Sequence, residues 1–248
     1  MATFIETGHA KNVANFEQLT SFITGYGATY NPSKASIKLA AMQTLLTNAK
    51  NVVGVVNSSL PANKNAVSAR EVAFKPLSKL ASRIMNAVIA TDTTPEVDEN
   101  VKTLIRKIQG RRAVEKKTDE ELKTLSEAGK ETKNVSSSQM SYDSRLDSFD
   151  KLIKLLASIT LYAPNEADLK VTALTTMYND LKTKNTAVVT TLVPLSNARI
   201  TRDDVLYKAN VGLVDIALDS KTYIKSLFGA SSPQYKQISK LQFKTVVK

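Results

Sequence analysis

Few side chains in this sequence are of the types that perform acid–base or nucleophilic chemistry together. The chain contains one histidine, His9, and no cysteine. Nucleophilic catalysis needs a base beside the nucleophile, and zinc sites need several imidazole or thiolate ligands. We expect His9 to lie in an N-terminal arm, over residues 1–11. The sequence therefore predicts no catalytic residue, no metal site, no cofactor and no small-molecule substrate, and we expect the protein not to be an enzyme.

Carboxylates occur in three short groups, which are candidates for acid–base work or for binding a divalent ion. The groups are Asp98-Glu99, Asp119-Glu120-Glu121 and Asp203-Asp204. Each group has lysine or arginine nearby and lies in the first turn of a helix or in an exposed context. Interaction with helix dipoles and with water explains carboxylates in such places, so we favour that interpretation over a catalytic one.

The densest group of positive charges, which we call the basic stretch, follows the second half of a predicted helix. It consists of Lys102, Arg106, Lys107, Arg111, Arg112, Lys116 and Lys117. Lys102 and Arg106 are four residues apart and share a helix face, so the basic stretch is a candidate for contacts to nucleic-acid phosphates or other anions. Aromatic side chains, on which unpaired bases stack, are not interleaved with these cations. A solvated helix end with favourable dipole interactions is the interpretation that we favour.

A further charged pair occurs twice at one offset. Arg70-Glu71 and Arg202-Asp203 are candidates for repeat-equivalent ion pairs. Adjacent residues do not face each other on a helix, so we expect each side chain to find its partner on another element. An inter-helix ion pair is favoured over a ligand site.

These residues belong to a sequence duplication that organises the chain. Residues 30–74 and 162–206 align without a gap, and their identical pairs include Tyr30 with Tyr162 and Pro32 with Pro164. A duplication of this kind indicates a repeated structural unit. The prolines suit the first position of a helix, and each helix is expected to stop near Pro61 or Pro194. The duplicated unit is therefore predicted to be a helical hairpin.

Apolar residues recur at steps of three and four in both copies, which is typical of a helix with one buried side. The predicted stripe consists of Ile37, Ala41, Leu45, Ala49, Val53, Val56 and Leu60 in one copy, and of Leu169, Ala173, Met177, Leu181, Asn185, Val188 and Leu192 in the other. Asn185 takes the place of Val53, so a polar group enters the second stripe. We expect a hydrogen-bonded asparagine at the core there, with a ligand contact as the alternative.

The pattern predicts an all-α fold of two tandem, related four-helix-bundle-like repeats built from antiparallel helical hairpins. The predicted domains are residues 1–112, a charged linker with a short helix over residues 113–137, and residues 138–248. The expected helices cover residues 12–25, 32–59, 62–91 with a break at Pro76, 95–106, 138–158, 164–191, 195–228 and 232–241. Sustained alternation of apolar and polar residues, the pattern of strands, is not found.

The amino-acid composition limits the classes of function that the protein can have. The formal net charge is +11 and the hydrophobic fraction is 42%. The lysines are spread along the chain, which favours a solvated basic surface over a dedicated nucleic-acid or membrane site. The N-terminal residues lack the pattern of a signal peptide, and no apolar run reaches the length of a membrane span. We therefore expect a cytoplasmic protein.

Four segments carry a resemblance to a known family. The segments TGHAKNVANF, GYGATYNPSKASIKL, YAPNEADLK and PLSNAR are similar to sequences of a family of uncharacterised bacterial proteins of comparable length. The resemblance covers the whole chain. It implies a bacterial origin and an all-helical tandem-repeat protein, and it implies no catalytic residue, because that family has no assigned activity.

The leading functional prediction is a non-catalytic structural or interaction protein that binds a protein partner or associates with itself. The first alternative is nucleic-acid or nucleoid-associated binding through the basic stretch. The second is a membrane-acting helical protein that hides an apolar segment, for which Val52-Val53-Gly54-Val55-Val56 is the candidate. This run is short and its copy is polar, so membrane action is the least favoured.

Overall fold

The structure, a computed structural model, describes residues 8–111 and 140–245. The regular elements in these ranges are helical, which confirms the all-α prediction. The α-helices are α1 (His9–Tyr26), α2 (Leu39–Phe74), α3 (Leu77–Ile89), α4 (Pro95–Gln109), α5 (Tyr142–Ser158), α6 (Val171–Tyr207), α7 (Leu213–Phe228) and α8 (Pro233–Ser239). The predicted linker, residues 113–137, and its short helix lie outside the described residues.

Several helix ends are located where the sequence predicts them. Pro76 separates α2 from α3, and Pro95 opens α4. Gly110 ends α4 with φ 68°, a left-handed conformation that glycine adopts without a steric penalty. Ser232 caps α8 by accepting a hydrogen bond from the amide of Tyr235. Prolines, glycines and capping residues at the helix ends therefore account for these boundaries.

The predicted helical hairpins are wrong, because α2 and α6 each continue through the proline that was expected to end them. Pro61 lies inside α2 and Pro194 lies inside α6. A proline in a helix deprives the carbonyl four residues earlier of its hydrogen bond. Those carbonyls belong to Asn57 and Thr190, which are exposed, so water can solvate them. The predicted helix over residues 195–228 is likewise replaced by the end of α6, a turn with Asn210 at φ 66°, and α7.

Pro32 and Pro164 do not begin helices either. Each copy of the repeat instead forms a turn with a short 3-10 segment, Ala35–Ile37 or Ala167–Leu169, before the long helix begins. In each turn a buried tyrosine hydroxyl donates to a carbonyl seven residues later, Tyr30 to Ile37 and Tyr162 to Leu169, both at 2.8 Å. The flanking backbone angles match closely: φ −68° and ψ 117° at Lys34, φ −64° and ψ 117° at Glu166. We call these the tyrosine turns.

The chain forms two compact units, and their boundaries fall inside α2 and α6. Unit 1 comprises the described parts of Met1–Asn63 and Thr191–Lys248, and unit 2 comprises those of Lys64–Thr190. Each unit thus combines the first part of one repeat with the last part of the other. This division differs from the predicted domains, residues 1–112 and 138–248, because the long helices pass from one unit into the other.

Each unit has its own apolar core, and the two cores use equivalent positions of the repeats. The first helix of each repeat contributes four buried apolar side chains at equivalent positions, and α5 adds Ile153. They are Val13, Phe16, Leu19 and Ile23 in unit 1, and Leu146, Phe149, Leu152 and Leu156 in unit 2. In unit 1, α1 packs against α7; in unit 2, α5 packs against α4, which also packs against α3.

At the start of the two long helices, the predicted stripe does not coincide with the residues that are buried. Met42 and Leu174 are fully buried, although the prediction omitted both, whereas Ala41 is exposed. The error arises because the stripe was counted from Ile37, which is buried but belongs to the 3-10 turn before the helix. A 3-10 turn and an α-helix rotate the chain by different angles per residue, so the helical phase does not carry across.

Candidate functional site

Arg70 forms the centre of a polar network in unit 2. Its Nη1 donates to Oδ1 of Asn185 at 3.1 Å, and Nδ2 of Asn185 donates to Oδ1 of Asp143 at 2.7 Å. The guanidinium lies 3.9 Å from the centre of the Tyr142 ring, within the range of a cation–π interaction. These contacts join α2, α5 and α6. They confirm that Asn185 is a hydrogen-bonded residue at the core, as its place in the stripe predicted.

Arg202 is the repeat equivalent of Arg70, and its environment in unit 1 is different. The residue is only 7% exposed. Its Nε and Nη2 both donate to Oδ1 of Asp203, at 2.9 and 2.7 Å. The expectation that adjacent residues would find separate partners is therefore wrong for this pair. The arginine side chain is long enough to fold back along the helix surface to its neighbour. Glu71, the equivalent of Asp203, forms no recorded ion pair with Arg70 in the part of the chain that the structure describes.

A cavity of about 250 Å³ lies beside Arg202 in unit 1. Its lining combines the beginning of α1 with residues of α2 and α6: Gly8, His9, Ala10, Lys11, Val53, Val56, Asn57 and Arg202. We call it the Arg202 cavity. Three of the lining side chains, His9, Lys11 and Arg202, are cationic or can be protonated. The carboxylate of Asp203 is hydrogen-bonded to Arg202.

His9 does not lie in an N-terminal arm, since α1 begins at this residue. Its Nδ1 is 2.7 Å from the hydroxyl of Tyr207 on α6, and the two rings are 5.6 Å apart. Asn12 also donates to that hydroxyl. Burial raises the pKa of the Tyr207 hydroxyl, so it stays protonated near neutral pH. These contacts give His9 a packing role between α1 and α6.

The basic stretch is described as far as Arg111, so Arg112, Lys116 and Lys117 lie outside the described residues. Lys102 and Arg106 both form ion pairs with Glu99, at 3.2 and 2.8 Å. These cations, Lys102 foremost, lower the pKa of the Glu99 carboxyl. Lys107 and Arg111 are exposed. Two of the four described cations of the basic stretch, Lys102 and Arg106, therefore form ion pairs with the same carboxylate, that of Glu99.

A groove of about 620 Å³ between α3 and α4 borders the basic stretch. Lys102, Arg106 and Arg111 line it, together with Glu99 and the apolar side chains of Met85, Ile89 and Ile105. Lys107 is not part of the lining, because it projects from another side of α4. The groove therefore brings together three of the four described cations that the sequence selected.

The carboxylate groups take structural roles where the structure describes them. Asp98 accepts a hydrogen bond from the Thr93 hydroxyl at 2.7 Å, and both Asp98 and Glu96 lie in the first turn of α4. Asp203 accepts from Arg202. Residues 119–121 lie outside the described ranges. Within those ranges, no group of three histidine, aspartate or glutamate side chains is placed to hold a metal ion.

An apolar row lies on the outer side of α6, and the sequence did not predict it; Leu192, which the predicted stripe placed on the buried side, belongs to this exposed row instead. Val189, Leu192, Val193 and Ile200 are 58%, 46%, 53% and 57% exposed. Steps of three, one and seven residues place them on one side of a helix. Residues 185–198, which include the first three of them, contain no charged side chain, whereas Ile200 directly follows Arg199. We call these four residues the α6 apolar row. An uncharged run inside a long helix was the available sequence signal.

The candidate membrane segment, residues 52–56, lies within α2. Val52 and Val56 are buried, and Val56 packs with Leu195 and Ala198 of α6 in unit 1. Among the helices that the structure describes, none has the length and apolar character needed to cross a membrane.

No protein-family model, curated protein or solved structure matches the chain. The function proposed below therefore depends on the geometry alone.

Proposed function

We propose that this protein is a non-catalytic helical interaction protein that associates with itself through the α6 apolar row. The observation that carries the proposal is the exposure of four large aliphatic side chains, Val189, Leu192, Val193 and Ile200, along one side of a single helix. Single exposed apolar residues are normal on protein surfaces, whereas a contiguous row is typical of a contact surface.

The partner that this row fits best is a second copy of the chain. A two-fold symmetric interface pairs a surface with itself, so the surface must be self-complementary. An apolar surface meets this condition, whereas a surface of one charge does not. The chain carries a formal net charge of +11, and residues 185–198, which hold three of the four side chains, carry none, so repulsion between two copies is weak along that part of the row.

The association should be weak and reversible. Four half-exposed side chains cover much less than the roughly 800 Å² per partner of a standard interface. Association must also offset the loss of translational and rotational freedom. We therefore expect a dissociation constant in the micromolar range or above, and a mean mass that rises with concentration.

Sedimentation velocity over a concentration series tests the proposal. The double variant Val193→Ser/Ile200→Ser removes half of the row, and we expect it to stay monomeric at concentrations where the wild type associates. Val72→Ser is the matched control, because Val72 is 71% exposed on α2 and does not belong to the row. A wild type that stays monomeric throughout, or equal association in the double variant and the control, would contradict the proposal.

Nucleic-acid binding through the basic stretch is the second candidate. Lys107 and Arg111 support it, because both are exposed and neither belongs to the ion pairs with Glu99. Its counterargument is that Glu99 offsets part of the charge of Lys102 and Arg106, so the stretch offers phosphates less net charge than its sequence suggests.

We also infer that the two halves are copies of one helical unit. The matching tyrosine turns and the equivalent core positions in α1 and α5 support this inference. Each copy supplies parts to both compact units, so the repeat is a unit of sequence and not a separately packed bundle.

A further inference from the structure

Helices α3 and α7 are equivalent parts of the two repeats. Each follows the long helix of its repeat, and four of their buried positions coincide. These positions are Leu77, Ala81, Ile84 and Val88 in α3, and Leu213, Ala217, Ser220 and Ile224 in α7, which also buries Val214 and Ile216. The same difference in residue number relates all four pairs, so the two helices can be compared residue by residue.

Each of these helices contacts the tyrosine turn of its own unit through an ion pair at the same position. In unit 1, Asp219 of α7 pairs with Lys34. In unit 2, Arg83 of α3 pairs with Asp168. Arg83 corresponds to Asp219 in the alignment of α3 with α7, and Lys34 and Asp168 lie beside or within the 3-10 segments of the two turns. Helix and turn therefore meet in the same register in both units.

One aromatic ring of unit 1 has no counterpart in unit 2. Tyr223 of α7 packs edge-on against Tyr30, with the ring centres 5.2 Å apart and an angle of 86° between the ring planes. The alignment places Ala87 of α3 at the position of Tyr223. Alanine supplies no ring, and no ring–ring contact of Tyr162 is recorded within residues 8–111 and 140–245. The aromatic contact that Tyr30 receives from its helix is thus missing at Tyr162.

A cavity of about 510 Å³ lies in unit 2 at the position of the missing ring, between α3 and the turn of Tyr162. We call it the Ala87 cavity, because Ala87 lines it. Tyr162 and Leu169 form its apolar floor and are buried. The side-chain amides of Asn86 and Asn165 also belong to the lining, and neither makes a recorded hydrogen bond in the part of the chain that the structure describes. The cavity therefore combines an apolar floor with groups that can donate and accept hydrogen bonds.

The charges around the Ala87 cavity are balanced. Arg83 and Glu166 line it, and Arg83 is also paired with Asp168. An anion would be attracted by Arg83 but repelled by the two carboxylates, and the reverse holds for a cation. The lining therefore favours a ligand without net charge.

We propose that the Ala87 cavity binds a small neutral aromatic compound of one or two rings with a polar substituent. The ring of the ligand takes the place that the Tyr223 ring has in unit 1, and the substituent pairs with the amide of Asn86 or Asn165. Edge-on contact between aromatic rings is favourable beyond the burial of apolar area, so the floor at Tyr162 favours an aromatic ligand over an aliphatic one. The cavity is within the size range of small-molecule sites. This proposal does not depend on self-association through α6.

A titration of the full chain followed by two-dimensional NMR tests the proposal. Phenol, indole and cyclohexanol are added separately, and the backbone amide signals of Ala87, Ala90 and Ala163 are monitored. Cyclohexanol is the reference compound, because it has nearly the size of phenol but no aromatic ring. We expect saturable shifts with phenol or indole, and cyclohexanol should bind about threefold or more weakly than the better of the two. Non-saturable shifts, or equal binding of cyclohexanol, would overturn the proposal.

Three variants make the test specific. Ala87→Tyr fills the cavity with the side chain that α7 carries at the equivalent position, so we expect it to abolish saturable binding. Ala41→Tyr is the matched control, because Ala41 is exposed on α2 in unit 1, and it should bind as the wild type does. Tyr223→Ala makes the reverse change and should add a second site, detected by shifts of the Ile37 and Lys38 amide signals.

The outcome remains decisive if a variant does not fold. Ala87→Leu replaces Ala87→Tyr in that case, because it fills part of the same space with a smaller side chain. Wild-type affinity in the folded variant at Ala87 would overturn the proposal. A folded Tyr223→Ala without a second site would also contradict it, because removal of the ring should then open an equivalent cavity in unit 1.

Discussion

The tyrosine turns provide the most direct test of the fold, because the same substitution can be made in both copies. Tyr30→Phe and Tyr162→Phe each delete one buried hydroxyl and keep the ring. The hydroxyls donate to the carbonyls of Ile37 and Leu169 at 2.8 Å, and both of these residues are buried. Each substitution therefore leaves a buried carbonyl without its donor.

The expected cost follows from this geometry. A hydrogen bond contributes about 1 kcal/mol net, and a buried acceptor left without a partner costs about 1–3 kcal/mol. We expect each variant to lose roughly 1–2 kcal/mol of unfolding free energy, which corresponds to a melting temperature lower by a few degrees. Tyr30 also has the sulfur of Met42 at 3.8 Å, so its loss should be the larger by a small margin.

Urea unfolding followed by far-UV circular dichroism measures this loss. Tyr178→Phe is the control, because Tyr178 is half-buried and its hydroxyl has no recorded hydrogen bond within the described part of the chain. If the two units unfold in separate transitions, Tyr30→Phe should move only that of unit 1 and Tyr162→Phe only that of unit 2. A loss below about 0.3 kcal/mol in both variants, or an equal loss in Tyr178→Phe, would refute the reasoning.

Two further predictions concern charge. Burial, followed by the charges of Glu166 and Asp168, raises the pKa of Tyr162 to about 12, so folding favours the neutral phenol. The resulting stabilisation is present below pH ~10, the unfolded pKa, and is lost as the pH rises toward 12. Wild-type unfolding free energy should fall more steeply in that window than that of Tyr162→Phe; parallel curves would contradict this. Separately, Arg106→Gln/Lys107→Gln/Arg111→Gln should retain DNA and RNA no less than a control with the same charge change at Lys38, Lys182 and Lys240. Selective loss in the first variant, with a flatter salt dependence, would instead establish a nucleic-acid site.

The sequence was sufficient for those parts of the fold that depend on local signals. Pro95 begins a helix and Gly110 ends it because a proline at the first helical position and a left-handed φ angle act within a few residues. Pro61 and Pro194 do not end their helices, because the cost of a proline depends on where its freed carbonyl lies. Both carbonyls belong to exposed residues, Asn57 and Thr190, and exposure is a property of the packed structure.

The exchange of parts between the repeats could not be predicted from the sequence. The equivalent side chains Phe16 and Phe149 are fully buried in different units, each against helices of the other repeat. Similar copies offer nearly the same apolar contacts whether a helix packs within its own repeat or against the other. Chain connectivity through α2 and α6 decides between these arrangements, and the apolar pattern contains no information about it.

The candidate site could be predicted only in part from the sequence. The sequence identified Arg70 and Arg202 as equivalent residues, but the partner of Arg202 was expected on another element and is its neighbour Asp203, because ion pairing between neighbours depends on side-chain conformation. The Arg202 cavity could not be predicted, because its lining comes from α1, α2 and α6, whose residues are distant in sequence.

The discontinuous make-up of unit 1 has a consequence for synthesis on the ribosome. Unit 2 spans one continuous stretch, Lys64–Thr190, whereas unit 1 needs both Met1–Asn63 and Thr191–Lys248. Domains fold as their residues emerge, so unit 2 can close while the last helices are still being made. The nascent α1 must wait for α7, its packing partner, which is about 190 residues further along the chain. Of the described helices, α1 is translated first and is thus among the last to be buried, so its apolar side is a target for chaperones during translation.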